Sequence, residues 1–271
     1  MTPTSLRERL HRSREYIGLS RHLLNWPSFI LMGLVRGHSF GGVLKKVTVR
    51  PKLLRGLRLA VDHSDLSEMI IFDEVIRDEG YDLDLVTFTP DQIFDCGGHV
   101  GMFSVLARSR FPGVPITVFE PRPQNVVRIV EQARLNKMRD IEIVSAAVSS
   151  YSGTTTFQEC LSFAGRLSDH VTSNDAECYP VQVIDLAAMI RERKPQRMLL
   201  KLDVEGEERK IIPWLFDVMP RTSAIFFETH YGFDHWDSTA KQFRDNGFKV
   251  ERRRSLDDQY IDGFAIRGSQ A

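Results

Sequence analysis

The chain is predicted to be an α/β protein organised around a parallel strand–helix–strand unit. Three observations predict it. Asp91–Glu120 reads as strand, glycine turn, helix, loop and strand within about 30 residues. Two later apolar strands, at Met198–Leu202 and Ala224–Phe227, end in chemically active side chains. Between these landmarks, segments with apolar residues at helical spacing alternate with short strand-like runs.

Taken in order, the first sixty residues are rich in arginine and lysine, and the following stretch to Asp91 is strongly acidic, although the whole chain carries 36 basic and 36 acidic residues. The plain reading is a solvated surface. The sharper one is a basic arm that docks on something anionic, such as a membrane surface or a lipid-linked substrate. The apolar run Leu23–Val35 is too short to span a bilayer and is broken by Asn25, Pro27 and Ser28. A packed helix is expected there, with shallow interfacial docking as the second reading. Val47–Val49 and Leu57–Val61 flank a basic turn and predict a β-hairpin. Residues 1–62 are therefore taken as a helical arm with a hairpin, and 63–271 as the main domain. Leu66–Glu79 has an apolar helical face and ends at Gly80.

In the organising unit, Ile93-Phe94 lead into Asp95-Cys96-Gly97-Gly98-His99-Val100-Gly101, and the glycines let a ligand approach bare backbone. Ile116–Phe119 then ends at Glu120, beside the same turn, where a carboxylate can accept both hydroxyl protons of a ribose. An adenosine ligand follows. A dinucleotide turn wants a second glycine where this chain has His99. Asp95-x-Gly97-x-x-x-Gly101 better fits a ligand without phosphate there, such as S-adenosylmethionine.

Pro123–Asn136 predicts the next helix and Ile141–Val144 the next strand, ending at Ser145-Ala146-Ala147, small residues that leave room for an adenine. Thr154–Phe157 and Val181–Ile184 are expected strands. The polar stretch Cys160–Tyr179 between them, with Arg166, Asp169, His170 and Asn174, is a candidate substrate lid. Met198–Leu202 then delivers Lys201, Asp203 and Glu205 to one side of an extended chain, where ionisable groups are costly unless paired or used. Glu228-Thr229-His230 closes the following strand. Three scattered cysteines suit a reduced, cytosolic protein.

Asp95–Gly101, Phe119-Glu120-Pro121, Asn136, Ala146–Ser149, Leu200–Glu207 and Glu228–His230 together resemble the successive motifs of the FkbM family of S-adenosylmethionine-dependent methyltransferases, over about Phe72–His230. The resemblance implies a Rossmann-like class I methyltransferase fold: a seven-stranded, mostly parallel sheet, helices on both faces, one antiparallel strand near the end. The tail agrees, with helix Trp236–Asn246 and strands Phe248–Arg254 and Phe264–Arg267. By analogy Asp95, Gly97, Gly98 and Gly101 hold the methionine end of the cofactor, Glu120 the ribose, and Ala146 lies near the adenine. His230, Asp203, Glu205 and Lys201 face the reaction, with His230 the first candidate base and Asp203 the second. Gly98 departs from the family's usual alanine, a change expected only to loosen the turn. The arginine-rich arm lies outside the shared core. A divalent ion on Asp203, Glu205 and His230 ranks below a metal-free site.

The implied activity is methyl transfer to a hydroxyl of a sugar, glycan or secondary metabolite. An NAD-dependent oxidoreductase and a non-catalytic binding module are the alternatives. A nucleic-acid acceptor is not expected, because the basic residues crowd into one terminal arm and no N/D-P-P-Y-type element is present.

Overall fold

The computed structural model describes residues 20–27, 46–62, 65–77, 81–159, 165–168, 177–230, 232–255 and 260–268. The predicted hairpin forms from β1 (Lys46–Val49) and β2 (Leu59–Asp62), antiparallel, with Val47 opposite Val61. It is followed by α1 (Leu66–Arg77); the rest of the expected helix, to Glu79, lies outside the described residues. Leu23 is buried against this region, whereas Leu24 and Trp26 are exposed and residues 28–45 lie outside the description.

The main sheet is built from β3 (Gln92–Cys96), β4 (Ile116–Phe119), β5 (Ile141–Val144), β10 (Arg197–Leu202), β11 (Thr222–Thr229), β12 (Lys249–Ser255) and β13 (Ile261–Arg267). Its order is β12-β13-β11-β10-β3-β4-β5. All pairings among β11, β10, β3, β4 and β5 are parallel, and β13 alone runs against its neighbours. Side chains alternate across these buried strands, so two apolar layers form. Ile93, Ile116, Val118, Leu199 and Phe226 face one layer, together with α2 (Met102–Arg110). Phe94, Cys96, Phe119, Leu200 and Phe227 face the other, covered by α4 (Leu186–Arg193), α5 (Glu208–Leu215) and α6 (Phe233–Asp245). Helices therefore cover both faces. The chain order reverses between β3 and β10, so a crevice opens at the carboxyl ends of β3, β4, β10 and β11, where open α/β sheets bind ligands.

The hairpin is stitched to α3 (Pro123–Leu135) by polar side chains acting as a substitute strand edge. Gln132 accepts from the Ala60 amide at 3.0 Å and donates to its carbonyl at 2.8 Å. Asn136 does the same for Arg58, at 2.7 and 2.8 Å. Buried Arg128 reaches across from α3 to Glu68 on α1, at 2.7 and 2.8 Å. Two buried charges are tolerable here because each is hydrogen-bonded by the other.

The region after β5 differs from expectation. Two strands and a polar loop were predicted. The structure has a second sheet, in the order β6-β9-β7-β8, from β6 (Ala147–Ser149), β7 (Gly153–Glu159), β8 (Gly165–Ser168) and β9 (Glu177–Asp185). Part of the expected lid is thus a strand paired to β7, with Leu167 opposite Phe157. Asp169, His170 and Asn174 lie outside the described residues. Among the described residues, no helix is long and apolar enough to cross a membrane.

Candidate active site

The glycine turn is welded to the end of β4. Gly97 and Gly98 both donate to the Phe119 carbonyl, at 3.0 and 2.9 Å, Gly101 donates to Gly98 at 2.8 Å, and the His99 amide donates to Glu120 Oε2 at 2.8 Å. Every one of these turn amides is therefore spent within the protein. Glu120 Oε1 accepts from the Arg122 amide at 3.0 Å and from Asn125 at 3.3 Å. Burial pushes its pKa up to about 7 despite these donors. Gly97 and Gly101 hold φ of 80° and 81°, and His99 shares the left-handed region at 46°.

Gly98 is glycine for a reason the sequence did not show. A Cβ there would meet Val118 Cγ1 at 2.3 Å and Ile129 Cδ1 at 3.2 Å. Alanine would overfill the turn, so the expectation that glycine merely loosens it is corrected. Gly98→Ala is expected to cost about 1–3 kcal/mol of stability, read as a lowered melting temperature.

A cavity of about 380 Å³ lies over this turn. Gly97, His99, Glu120, Ala147 and Val148 line one end, with apolar walls from Phe119, Phe157 and Leu167. The other end is lined by Ile70, Ile71 and Glu74 of α1, Tyr81, Asp203, Glu205, Glu228, His230, Tyr260 and Asp262. Sequence reading placed Asp95, Gly98, Gly101, Ala146 and Lys201 at the site. None of these lines the cavity; the small-residue wall is Ala147, one residue beyond Ala146. Asp95 is fully buried beneath the turn, accepting from Ser104 Oγ at 2.6 Å. In that position it supports the turn.

Lys201 is the other support. Its ammonium donates to the Gly97 carbonyl at 2.6 Å and lies 3.3 Å from Asp203 and 3.9 Å from Asp95. Burial disfavours the charge, yet Asp203 and Asp95 outweigh it and hold the lysine pKa above its ordinary value. Asp203 is correspondingly held below the usual carboxylate range: burial opposes this, but Lys201 and a hydrogen bond from Glu228 prevail. Glu228 is pushed well up by burial and by the Asp203 charge, so this pair keeps one proton between its carboxylates.

His230 sits among acids: Glu205 at 3.3 Å, Glu208 at 3.5 Å and Glu228 at 3.8 Å. Burial would lower its pKa, but these carboxylates raise it to about 12. With that proton in place the ring has no lone pair to take another. Glu208 itself is fully buried, accepting from the Val204 and Gly206 amides at 2.6 and 2.8 Å. It folds back on the bend at Glu205 and Gly206, both at positive φ. Asp203, Glu208 and His230 offer atoms within 4.8 Å of one another, a set that could take a divalent ion if the ring gave up its proton. That set contains Glu208, not the anticipated Glu205.

Several lining residues were not assigned from sequence. Glu228 carries no assigned role within Glu228-Thr229-His230, and Tyr81, the residue after the Gly80 stop, belongs to no motif. Tyr260 and Asp262 reach the cavity because β13 pairs with β11, Asp262 directly opposite Glu228. No local pattern announces such a pairing.

A chain from Streptomyces tacrolimicus, the 31-O-demethyl-FK506 methyltransferase FkbM, is 26% identical over 223 residues, covering 70% of this chain and 85% of that protein. The methyltransferase sdnD from Sordaria araneosa is 24% identical over 198 residues, covering 61% of this chain and 76% of that one. In structure, a chain from Streptococcus mutans assigned as a SAM-dependent methyltransferase superposes with a TM-score of 0.51 at 11% identity, covering 83% of this chain and 56% of that one. The sheet order and this likeness establish the class I methyltransferase fold. The model of the methyltransferase FkbM domain matches residues 95–250, more than half of the sequence and the whole span from glycine turn to last helix, and the chain belongs to that family of methyltransferases.

Proposed function

We propose that this methyltransferase uses S-adenosylmethionine and methylates a hydroxyl of a sugar, glycan or secondary metabolite. The observation that carries the cofactor is the pairing of Glu120, a buried acid in the cavity wall, with a turn whose amides at Gly97, Gly98, His99 and Gly101 are already donated inward. Such a turn has little left for a pyrophosphate, which disfavours NAD, while Glu120 Oε2, which accepts only the His99 amide, keeps a lone pair for a ribose hydroxyl. Phe119, Ala147 and Val148 supply an apolar slot for an adenine. When bound, the cofactor supplies a methyl group already activated on a sulfonium.

The protein then has to align the acceptor and draw off its proton. Asp203 is the base in this reading. Its backbone lies against Gly97, its carboxylate stays ionised because of Lys201, and Glu228 hydrogen-bonds to it. Glu205 orients the acceptor, and His230 holds Glu205, Glu208 and Glu228 together as a cation. Glu74, Glu205, Glu228 and Asp262 make the acceptor end strongly acidic, with Tyr260 at the mouth as a flat face for a sugar ring. That lining suits neutral or cationic polyols and opposes phosphorylated ones. A hydroxyl acceptor also agrees with the name of the FK506 relative. The main domain, 63–271, is proposed to act in the cytosol, with 1–62 as an accessory basic arm for an anionic or membrane contact.

Titration calorimetry with S-adenosylhomocysteine and NAD tests the cofactor. Tight binding of the first and none of the second is expected; the reverse would sink the reading. Glu120 gives the pH dependence its sign. Its folded pKa, raised to about 7, means that the buried ionised form costs stability as pH rises from the unfolded value through 7. Ribose hydroxyls need the ionised form, so S-adenosylhomocysteine affinity should fall roughly tenfold per unit below pH 7. Glu120→Gln should flatten that profile and weaken binding by about 10- to 100-fold.

A further inference from the structure

The His99 side chain leaves the turn toward α1. Its Nε2 lies 3.2 Å from Ser67 Oγ, and Ser67 Oγ donates to Asp65 Oδ1 at 2.6 Å. Asp65 is the acid that begins α1, also accepting from the Ser67 and Glu68 amides at 2.8 and 3.3 Å. A serine has one hydrogen to give, and it goes to the carboxylate. The serine oxygen must then accept, so His99 Nε2 carries the hydrogen and the ring is fixed in one neutral tautomer. Burial, helped by the Lys201 charge, lowers the ring pKa to about 4, so it stays neutral across the working range. Nδ1 is left buried without a hydrogen-bond partner among the described residues. A left-handed, non-glycine backbone and an unsatisfied ring nitrogen are both costs, and they are tolerated in one residue.

The same residue's amide holds Glu120 Oε2. His99 therefore joins the acid at one end of the cavity to the helix that forms the wall at the other, through Ile70, Ile71 and Glu74. We infer that His99 is a positioning residue that couples the two halves of the reaction: a ribose held by Glu120 fixes the His99 backbone, and the ring fixes the acceptor-side helix α1 through Ser67 and Asp65. This rests on the cofactor reading above. Arg128–Glu68 anchors α1 to α3 regardless of ligand, so the coupling is a matter of order at the start of α1, not of its folding.

Hydrogen exchange of the full chain, with and without S-adenosylhomocysteine, tests it without needing the acceptor. In the parent protein, the ligand should slow exchange both at 95–101 and along 66–77, the latter by about fivefold or more. Ser67→Ala cuts the link outside the turn. His99→Asn keeps a residue that tolerates positive φ but removes the reach to Ser67. In both variants ligand-dependent protection of 66–77 is lost, and in Ser67→Ala protection at 95–101 survives with ligand affinity within a few-fold. Nitrogen NMR should show a single Nε2-protonated His99 in the parent, released to a tautomer mixture by Ser67→Ala. If 66–77 is protected equally in parent and variants, the coupling is wrong while the cofactor reading stands. If the ligand fails to protect 95–101 in the parent, both fall.

Discussion

Replacing Lys201 by methionine is expected to cost the protein about 3–5 kcal/mol and to open the glycine turn. The shape of the side chain is nearly kept, so the loss is electrostatic. Asp95 and Asp203 would face each other without the ammonium between them, and the Gly97 carbonyl would lose its 2.6 Å donor. Asp95 has little else to turn to: Ser104 satisfies one oxygen, and the other has no hydrogen-bond partner among the described residues. A fall in melting temperature on the order of 10 °C at pH 7 follows for a chain of this size. The sign with pH is fixed. In the parent, Asp203 is depressed and contributes stability above its unfolded pKa, lost as pH falls through the folded one. In the variant Asp203 joins Asp95, already raised by burial in the parent, in favouring protonation, so stability improves on acidification. The difference between the proteins should therefore be widest near neutrality and shrink below about pH 4. A variant as stable as the parent at pH 7 would mean that the turn does not depend on this ammonium.

This dependence explains what could be read in the sequence and what could not. Strand–turn–helix periodicity, Glu120 at a strand end and Lys201-x-Asp203-x-Glu205 after an apolar run are local patterns. Each reflects backbone geometry within a few residues. The main sheet and its ligand edge follow from them. Direction of function within the turn does not. Asp95 and Asp203 look equivalent as carboxylates at strand ends, yet strand pairing places Lys201 beside Asp95, and Ser104 nine residues on pulls Asp95 under the turn. The acidic surroundings of His230 are likewise nonlocal. They come from Glu205 on the bend after β10 and Glu208 at the start of α5, together with Glu228 two residues before it. Gly98 needed Val118 from the neighbouring strand to be understood. The second sheet escaped because β6 pairs in parallel with β9, across more than thirty intervening residues.

Asp203→Asn is the change expected to hurt catalysis most with the fold retained. The amide keeps an oxygen toward Lys201 and a volume close to the acid's, so the turn should hold. It cannot accept a proton from an attacking hydroxyl. A loss of about 10²- to 10⁴-fold in kcat is expected, with S-adenosylhomocysteine affinity changed only a few-fold. His230→Gln separates the two candidate bases. Were His230 the base, kcat would rise with pH as the ring deprotonates, and glutamine would erase both the rise and the rate. With Asp203 as base, kcat is flat from about pH 6 to 9, because Lys201 keeps that carboxylate ionised throughout. Glutamine should then act by loosening the acids that His230 gathers, raising KM for the acceptor more than it lowers kcat. Transfer of a labelled methyl group to a panel of neutral, amine-bearing and phosphorylated glycosides reads all of this at once. A kcat for Asp203→Asn within a few-fold of the parent would move the proton to Glu205, the nearest remaining acid on the same bend whose burial raises its affinity for it.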